Sequence, residues 1–348
     1  MRAADRYQGV DAARGLAMVL MTTTHALRVL RPDNPPEFAQ WLMRIEPITP
    51  TLFFLLAGWG LARSRHRSGN HPGWHWRHVR RALGLWLLSA AMFFTYSGPQ
   101  WPEIFTSTGV LQCLGLSILV GVFLNRAWMA GLASVVVSLL FLWLNASGIQ
   151  IDGINRGSFP LYPFLPIFLA AQALELPLRQ RSWLQPALAT GGALIVLALS
   201  AHIGFRNLWG DWGMTNTFQE YVATAGAGMN GFALARDLLR GAPSYTHLVS
   251  FWSTLPRLVP VIVSLAGLAA LFLCEVADRF PQRLRPLALL GRHSLPYYVG
   301  HLALLGAFGL FLPLPIHSLP WSWLIATLSA IGLGVGLFAW RESRGDKS

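Results

Sequence analysis

Apolar stretches of roughly 15 to 24 residues recur from one end of the chain to the other, close to the length a helix needs to cross a bilayer. Short segments rich in arginine separate them. This alternation constrains the fold more than any single motif, and the expected class is an all-α, polytopic transmembrane helix bundle. Composition agrees. Of 348 residues 53% are hydrophobic and only 12% charged, against about 25% charged in a soluble domain. The same figures exclude disorder, coiled coil and collagen.

About ten spans are expected: 10–30, 48–62, 82–97, 107–124, 127–146, 160–176, 185–204, 256–276, 288–312 and 319–340. With the N-terminus inside, nineteen Arg and Lys fall on the inner side and eight on the outer. The inner excess follows the positive-inside rule and places both termini in the cytoplasm, as an even number of spans requires. The formal charge of +12 is therefore read as topology and contact with the lipid bilayer. No nucleic acid is expected as a partner. Trp41, Trp101, Trp128, Trp183, Trp252, Trp321 and Trp340 lie near span ends, where amphipathic rings settle.

Cys113 and Cys274 both fall in apolar spans and form no disulfide framework. At the N-terminus, His25 and Arg28 interrupt the apolar run and no small-residue cleavage site follows, so an uncleaved first helix is expected. Residues 1–348 read as a single domain with two notable segments. Residues 63–81 read as a basic cytoplasmic loop with six arginines, four histidines and no acid. Residues 202–256 read as a long external loop, of which Phe218–Arg240 has the pattern of an amphipathic or re-entrant helix.

The first span carries the most chemistry. Asp11, Arg14, Met18, Met21, His25 and Arg28 advance by three and four, so every ionisable group of the span lies on one helical stripe. Charged groups in a membrane face a bundle interior or a wet cavity. Asp11 and Arg14, three apart, can pair and lower each other's burial cost. His25 stands about 16 Å along the axis from Arg14. A cationic inner end joined to a deeper imidazole suits a long ligand with phosphates inside and a reactive end further out. An interior helix face held by polar contacts is the structural alternative.

Arg80 and Arg81 precede the third span and Arg292 stands near the start of the ninth, placed to clamp phosphate through bidentate contacts. Most other arginines need only topology and headgroups to explain them. The segment's histidines lack a carboxylate or thiol beside them, and no metal is expected. In the ninth span Ser294, Tyr297, Tyr298 and His301 share a face. A lone membrane histidine such as His301 is more often a structural hydrogen-bonding residue. Asp11, Arg28, Ser294, Tyr298 and His301 are read as supporting residues.

The pattern Arg6-x4-Asp11-x2-Arg14-Gly15-x9-His25 resembles the heparan-α-glucosaminide N-acetyltransferase catalytic-domain family, among the wider integral-membrane acyltransferases that include the acyltransferase-3 proteins. Three further stretches are similar in the same order: Phe53-Phe54-Leu55-Leu56-Ala57-Gly58 followed by Arg80-Arg81; Gly109-Val110-Leu111-Gln112-Cys113-Leu114-Gly115-Leu116; and Leu290-Gly291-Arg292-His293-Ser294-Leu295 through His301. The resemblance implies about ten helices and an acetyl group moved from cytoplasmic acetyl-CoA to a sugar amine or hydroxyl outside. It implies an acyl-CoA donor, a sugar or glycan acceptor and His25 as the functional histidine. Arg14, Arg80 and Arg81 match its donor-binding side.

An imidazole with pKa near 6.5 can take a proton from an attacking amine or hydroxyl, or accept the acetyl group transiently as a nucleophile. The expected function is therefore an integral-membrane acyltransferase in a bacterial inner membrane, with a homodimer as its candidate assembly. The alternative is a transporter or glycan-lipid flippase, with Asp11, Arg14, His25 and His301 lining a pathway or proton relay. Absence of an internal repeat weighs against that alternative.

Overall fold

A computed structural model describes residues 8–30, 48–68, 73–97, 109–124, 126–147, 161–180, 259–311 and 321–345, with a few single positions between these stretches. Ten helices and no strand occur among the described residues. Nine of the ten expected spans coincide with helical segments. The expected span 185–204 and the expected external loop 202–256 lie outside the described residues.

Among the described residues one helix, Ser322–Arg344, is long and apolar enough to cross a membrane. Val110–Phe123, Ala127–Phe141, Leu161–Glu175 and Ala266–Ala277 are shorter apolar helices. The other long helices carry arginines, histidines or a run of threonines, and these lower their mean hydropathy.

The helices gather into two compact units. The first takes residues 1–53, 230–232 and 266–348; the second takes 54–229 and 233–265. No linker marks this division, because the first unit joins the two ends of the chain.

In the first unit α1 (Gln8–Leu30) packs against α8 (Arg285–Arg292), α9 (Ser294–Phe311) and α10 (Ser322–Gly345). One cluster joins Met18, Leu290, Tyr297 and Phe338, and another joins Ala26, Leu27, Leu30, Leu305 and Trp323. The α1–α8 contact is backbone on backbone. A methyl group at Gly15 would collide with the Leu287 carbonyl, and one at Gly291 with the Asp11 carbonyl. Each glycine lets the other helix approach, and so brings Asp11 and Arg292 together. The C-terminal half of α7 (Val259–Arg279) joins this unit through Ala277, beside Ala12 and Ala288.

The ninth span, expected as one helix over 288–312, is two. His293 breaks it with φ −105° and ψ 32°. The physical reason is Pro296, which has no N–H to give the Arg292 carbonyl one turn back, so α9 starts afresh at Ser294 with the proline inside its first turn.

The second unit holds α2 (Ile48–Ser68, from Phe54 on), α3 (Gly73–Ser97), α4 (Val110–Phe123), α5 (Ala127–Ala146) and α6 (Leu161–Gln180). α3 packs on α4, α5 on α6, and α4 on α6. Phe54 stacks on Phe164 with ring centres 4.7 Å apart. Residues 162–169 of α6 are buried, whereas Trp128, Leu132, Val135, Val136, Leu139, Leu140 and Trp143 give α5 an exposed apolar face.

The basic segment 63–81, expected as a loop, is mostly helical. α2 continues to Ser68 and α3 opens at Gly73. The basic residues sit on two helix ends, where local contacts satisfy the backbone: Trp74 N–H donates to the His71 carbonyl at 2.9 Å.

Candidate active site

α1 and α9 bring two histidines together in the first unit. His25 Nδ1 lies 3.0 Å from His301 Nε2, and the rings stack with centres 5.3 Å apart at 8°. His301 is 2% exposed, and its Nδ1 lies 3.1 Å from the Tyr297 carbonyl oxygen. A carbonyl only accepts, so His301 Nδ1 carries the hydrogen. In the neutral ring Nε2 is then an acceptor, and the hydrogen between the rings belongs to His25 Nδ1. The lone pair of His25 consequently resides on Nε2.

The surroundings hold this order. The Tyr297 hydroxyl lies 3.0 Å from Thr22 Oγ1, which donates to the Met18 carbonyl at 2.8 Å. Tyr297 stacks against His301 with ring centres at 5.4 Å, and Tyr298 meets the same ring edge-on at 5.6 Å. The Tyr297, Tyr298 and His301 part of the predicted shared face thus forms one aromatic assembly around the imidazole. Ser294 is half-buried at the start of α9.

The basic end of the same unit is a charge network. Arg14 Nη1 lies 3.6 Å from Asp11 Oδ1, the expected pair three residues apart. Asp11 is buried, and its other oxygen lies 3.9 Å from Arg292 Nε. Arg292 also hydrogen-bonds Glu342 of α10, and His293 Nε2 lies 3.7 Å from that carboxylate. Two arginines thus face two carboxylates, so the network is close to charge-balanced. Glu342 was not among the predicted residues, because 50 positions of chain separate it from Arg292. Its only sequence signal is that it is an acid in a chain with few.

Along α1 the predicted stripe is only part of the buried surface. Asp11 and Met18 are buried, and Arg14, Met21 and His25 are half-buried, but Ala12, Ala13, Ala17 and Thr22 are buried too. Neighbours on several sides cover α1, which a single stripe does not convey. Arg28 lies on the last turn of α1, and its side chain lies outside the described residues.

Arg80 and Arg81 are exposed on the first turns of α3, in the second unit. Arg80 reaches over the Trp76 ring at 5.9 Å. The sequence from Arg63 to Arg81 holds no acid, so these two arginines have no carboxylate within their own segment.

Three helix ends meet in the second unit. Arg65 of α2 donates to the carbonyls of Gly121, Val122 and Leu124 at the end of α4, at 2.5 to 3.3 Å. Gln172 of α6 donates to Gly121 and Leu124 at 3.0 and 3.3 Å. These donors satisfy carbonyls that a helix end leaves without partners. Beside them Glu175 is fully buried with His66 Nε2 at 3.4 Å. An acid closing an otherwise apolar helix was the sequence signal for Glu175.

A family model described as heparan-alpha-glucosaminide N-acetyltransferase, catalytic, matches residues 6–208. A search of curated proteins finds no match. The matched range holds Asp11, Arg14, His25, Arg80 and Arg81, and ends before Arg292 and His301. It spans more than half of the chain and takes in the whole helix that carries His25, so this chain belongs to the heparan-alpha-glucosaminide N-acetyltransferase catalytic family, a family of acetyltransferases.

Proposed function

We propose that the protein is an integral-membrane acetyltransferase with acetyl-CoA as donor and a sugar amine or hydroxyl as acceptor, and that His25 is its general base. The observation that carries this reading is the ordered pair His25–His301. The hydrogen-bond direction from the Tyr297 carbonyl through His301 leaves the basic lone pair on His25 Nε2. As the acceptor's nitrogen or oxygen attacks the thioester carbonyl, its proton passes to Nε2. The CoA thiol leaves, and the proton returns from Nε2 to the leaving sulfur. His301 Nε2 stabilises the imidazolium that forms in between, by accepting from Nδ1–H.

The donor's phosphates fit the basic ends of the helices. Arg80 and Arg81 are exposed, and a planar guanidinium matches a phosphate bidentately. In the first unit Arg14 and Arg292 are the basic candidates, but Asp11 and Glu342 balance much of their charge. Arg80 and Arg81 are therefore the stronger assignments.

The helices span a membrane of about ten crossings, with both termini in the cytoplasm, in a bacterial inner membrane. The meeting of the C-terminal ends of α2, α4 and α6 supports this, since it gathers Arg63, Arg65, Arg67 and Arg126 at one end of the second unit. The exposed apolar faces of α5 and α10 suit lipid contact, with Ile325, Leu328, Leu333 and Leu337 exposed on α10.

The test uses the purified protein in nanodiscs, with acetyl-CoA and a hexosamine acceptor. Wild type is expected to form the acetylated sugar and release CoA, and folded His25→Ala to lose this by about 10²- to 10⁴-fold, the worth of a positioned general base. Unchanged turnover in folded His25→Ala overturns the assignment of the base. Proton-coupled uptake into proteoliposomes with no need for CoA overturns the enzyme reading as a whole.

A further inference from the structure

α1 carries three threonines in a row, and each turns its hydroxyl back onto its own helix. Thr22 donates to the Met18 carbonyl at 2.8 Å, Thr23 to Val19 at 2.9 Å and Thr24 to Met21 at 3.1 Å. Among the described residues Thr22 alone of the three also hydrogen-bonds another helix. Its Oγ1 lies 3.0 Å from the Tyr297 hydroxyl, and both side chains are buried. The Thr22 hydrogen is committed to Met18, so the Tyr297 O–H donates and Thr22 Oγ1 accepts.

The Thr22–Tyr297 bond and the His25–His301 contact are two rungs between the same two helices. They stand three residues apart on α1 and four apart on α9, or about 4.5 and 6 Å along the axes. Numbering rises together along both, so α1 and α9 run parallel here. A single contact lets one helix slide or roll against the other, whereas two contacts about a turn apart oppose both motions. Tyr297 is itself fixed from further sides. Its ring stacks on His301, and a methyl group at Gly334 of α10 would come within 2.6 Å of its Cε2. Its carbonyl oxygen lies 3.1 Å from His301 Nδ1. One residue thus fixes the tautomer of His301 through its carbonyl and the place of α1 through its hydroxyl.

We infer that Thr22 and Tyr297 are positioning residues, whose hydrogen bond sets the register of α1 on α9 and so holds His25 Nδ1 against His301 Nε2. The inference rests on the reading of His25 as the base, which Tyr297 reaches only through the helices and through His301. A hydrogen bond between two rings tolerates little displacement, because it weakens steeply away from a linear geometry. A small slip of α1 therefore loosens the Nδ1–H bond that keeps the lone pair on Nε2, and misplacement of a base is costly in rate. Neither Thr22 nor Tyr297 exchanges a proton in the reaction.

Tyr297→Phe keeps the ring and removes only the hydroxyl. Its kcat for acetyl transfer is expected to fall about three- to tenfold, the worth of one hydrogen bond, with the KM for acetyl-CoA unchanged. Thr22→Val is expected to match it and Thr22→Ser to keep the wild-type rate. Thr23→Val, whose hydroxyl serves α1 alone, should leave the rate unaltered. In a His301→Ala background Tyr297→Phe should cost nothing further, because a residue that acts through His301 has nothing left to act on. Losses that multiply in the double variant, or equal losses in Thr22→Val and Thr23→Val, overturn the inference and reduce Tyr297 to packing.

A second readout needs no activity. With the histidine rings labelled with a spin-active nitrogen isotope, NMR of the protein in nanodiscs detects coupling between two nitrogens that share a hydrogen. Loss of the signal in His301→Ala identifies it as that of this pair. The coupling is expected in wild type and Thr22→Ser, and is expected to be lost in Tyr297→Phe. Coupling retained in Tyr297→Phe overturns the inference alone. No coupling in wild type overturns the ordered pair, and the reading of His25 with it. A protein that shows the coupling, loses it in Tyr297→Phe and acetylates nothing sinks the enzyme reading and leaves the register lock standing.

Discussion

A histidine whose Nδ1–H is tied to a second imidazole presents one basic nitrogen to a substrate. His25 depends for this on His301, which depends on the Tyr297 carbonyl. Removing His301 therefore loosens the base without deleting it. His301→Ala is expected to lower kcat about tenfold, the equivalent of one hydrogen bond of about 1.4 kcal/mol. It should leave the KM for acetyl-CoA little changed. His301→Gln, whose side-chain oxygen can still accept from Nδ1–H, should recover part of the rate. Steady-state kinetics on the three proteins decide it, and equal rates in all three would reduce His301 to packing. His25 itself was legible in the sequence from its place on the polar stripe of α1. His301 was legible too, as a supporting residue on the face of the ninth span, but the direct pairing was not, because 276 residues of chain separate the two rings and only packing brings them together. Glu342 was hidden for the same reason: the sequence paired Asp11 with Arg14, three apart, and had no means of pairing Arg292 with an acid on α10.

Helix by helix, the close contact of α1 with α8 depends on two glycines. Gly15→Ala pushes a methyl group into the Leu287 carbonyl, which cannot rotate away as a side chain can. Overpacking of this kind costs about 1–3 kcal/mol, and Gly15→Ala is expected to melt earlier by a matching margin in a thermal-shift assay. Unaltered stability would mean that the two helices separate freely. The break between α8 and α9 was legible in Pro296, although the apolar run around it predicted one helix. The α2–α3 corner misled the sequence reading in the opposite direction, since arginines and histidines signal a solvated loop while the helices simply continue through them. His78 gives that corner a pH dependence. Burial and the surrounding arginines lower its pKa from 6.5 in the unfolded chain to about 4 in the fold, so between these values the unfolded chain binds more protons. Stability contributed by the neutral imidazole is present above pH about 6.5 and is lost as pH falls towards 4. Tm should fall more steeply over that range in wild type than in His78→Gln. Parallel curves would show that the imidazole is not buried against the arginines.

At the level of the whole molecule, the arginine distribution predicts sidedness, and the two cysteines make it measurable. Cys113 and Cys274 are both buried, so a membrane-impermeant maleimide should label the native protein weakly and report on introduced cysteines. Ser147 follows the end of α5 and Ser343 lies on the last turns of α10; both are exposed. The positive-inside assignment puts Arg126, at the start of α5, and Arg344, at the end of α10, in the cytoplasm. The far end of α5, with Ser147, is then outside. Ser147→Cys should react in intact cells, and Ser343→Cys only after the membrane is permeabilised. Each unit supplies one of the two sites, so the pair tests both without assuming how the units are arranged. Ser343→Cys labelled in intact cells, with Ser147→Cys protected, would invert the topology. Arg80 and Arg81 would then face away from the compartment that holds acetyl-CoA, and the assignment of those arginines to its phosphates would fall with the orientation.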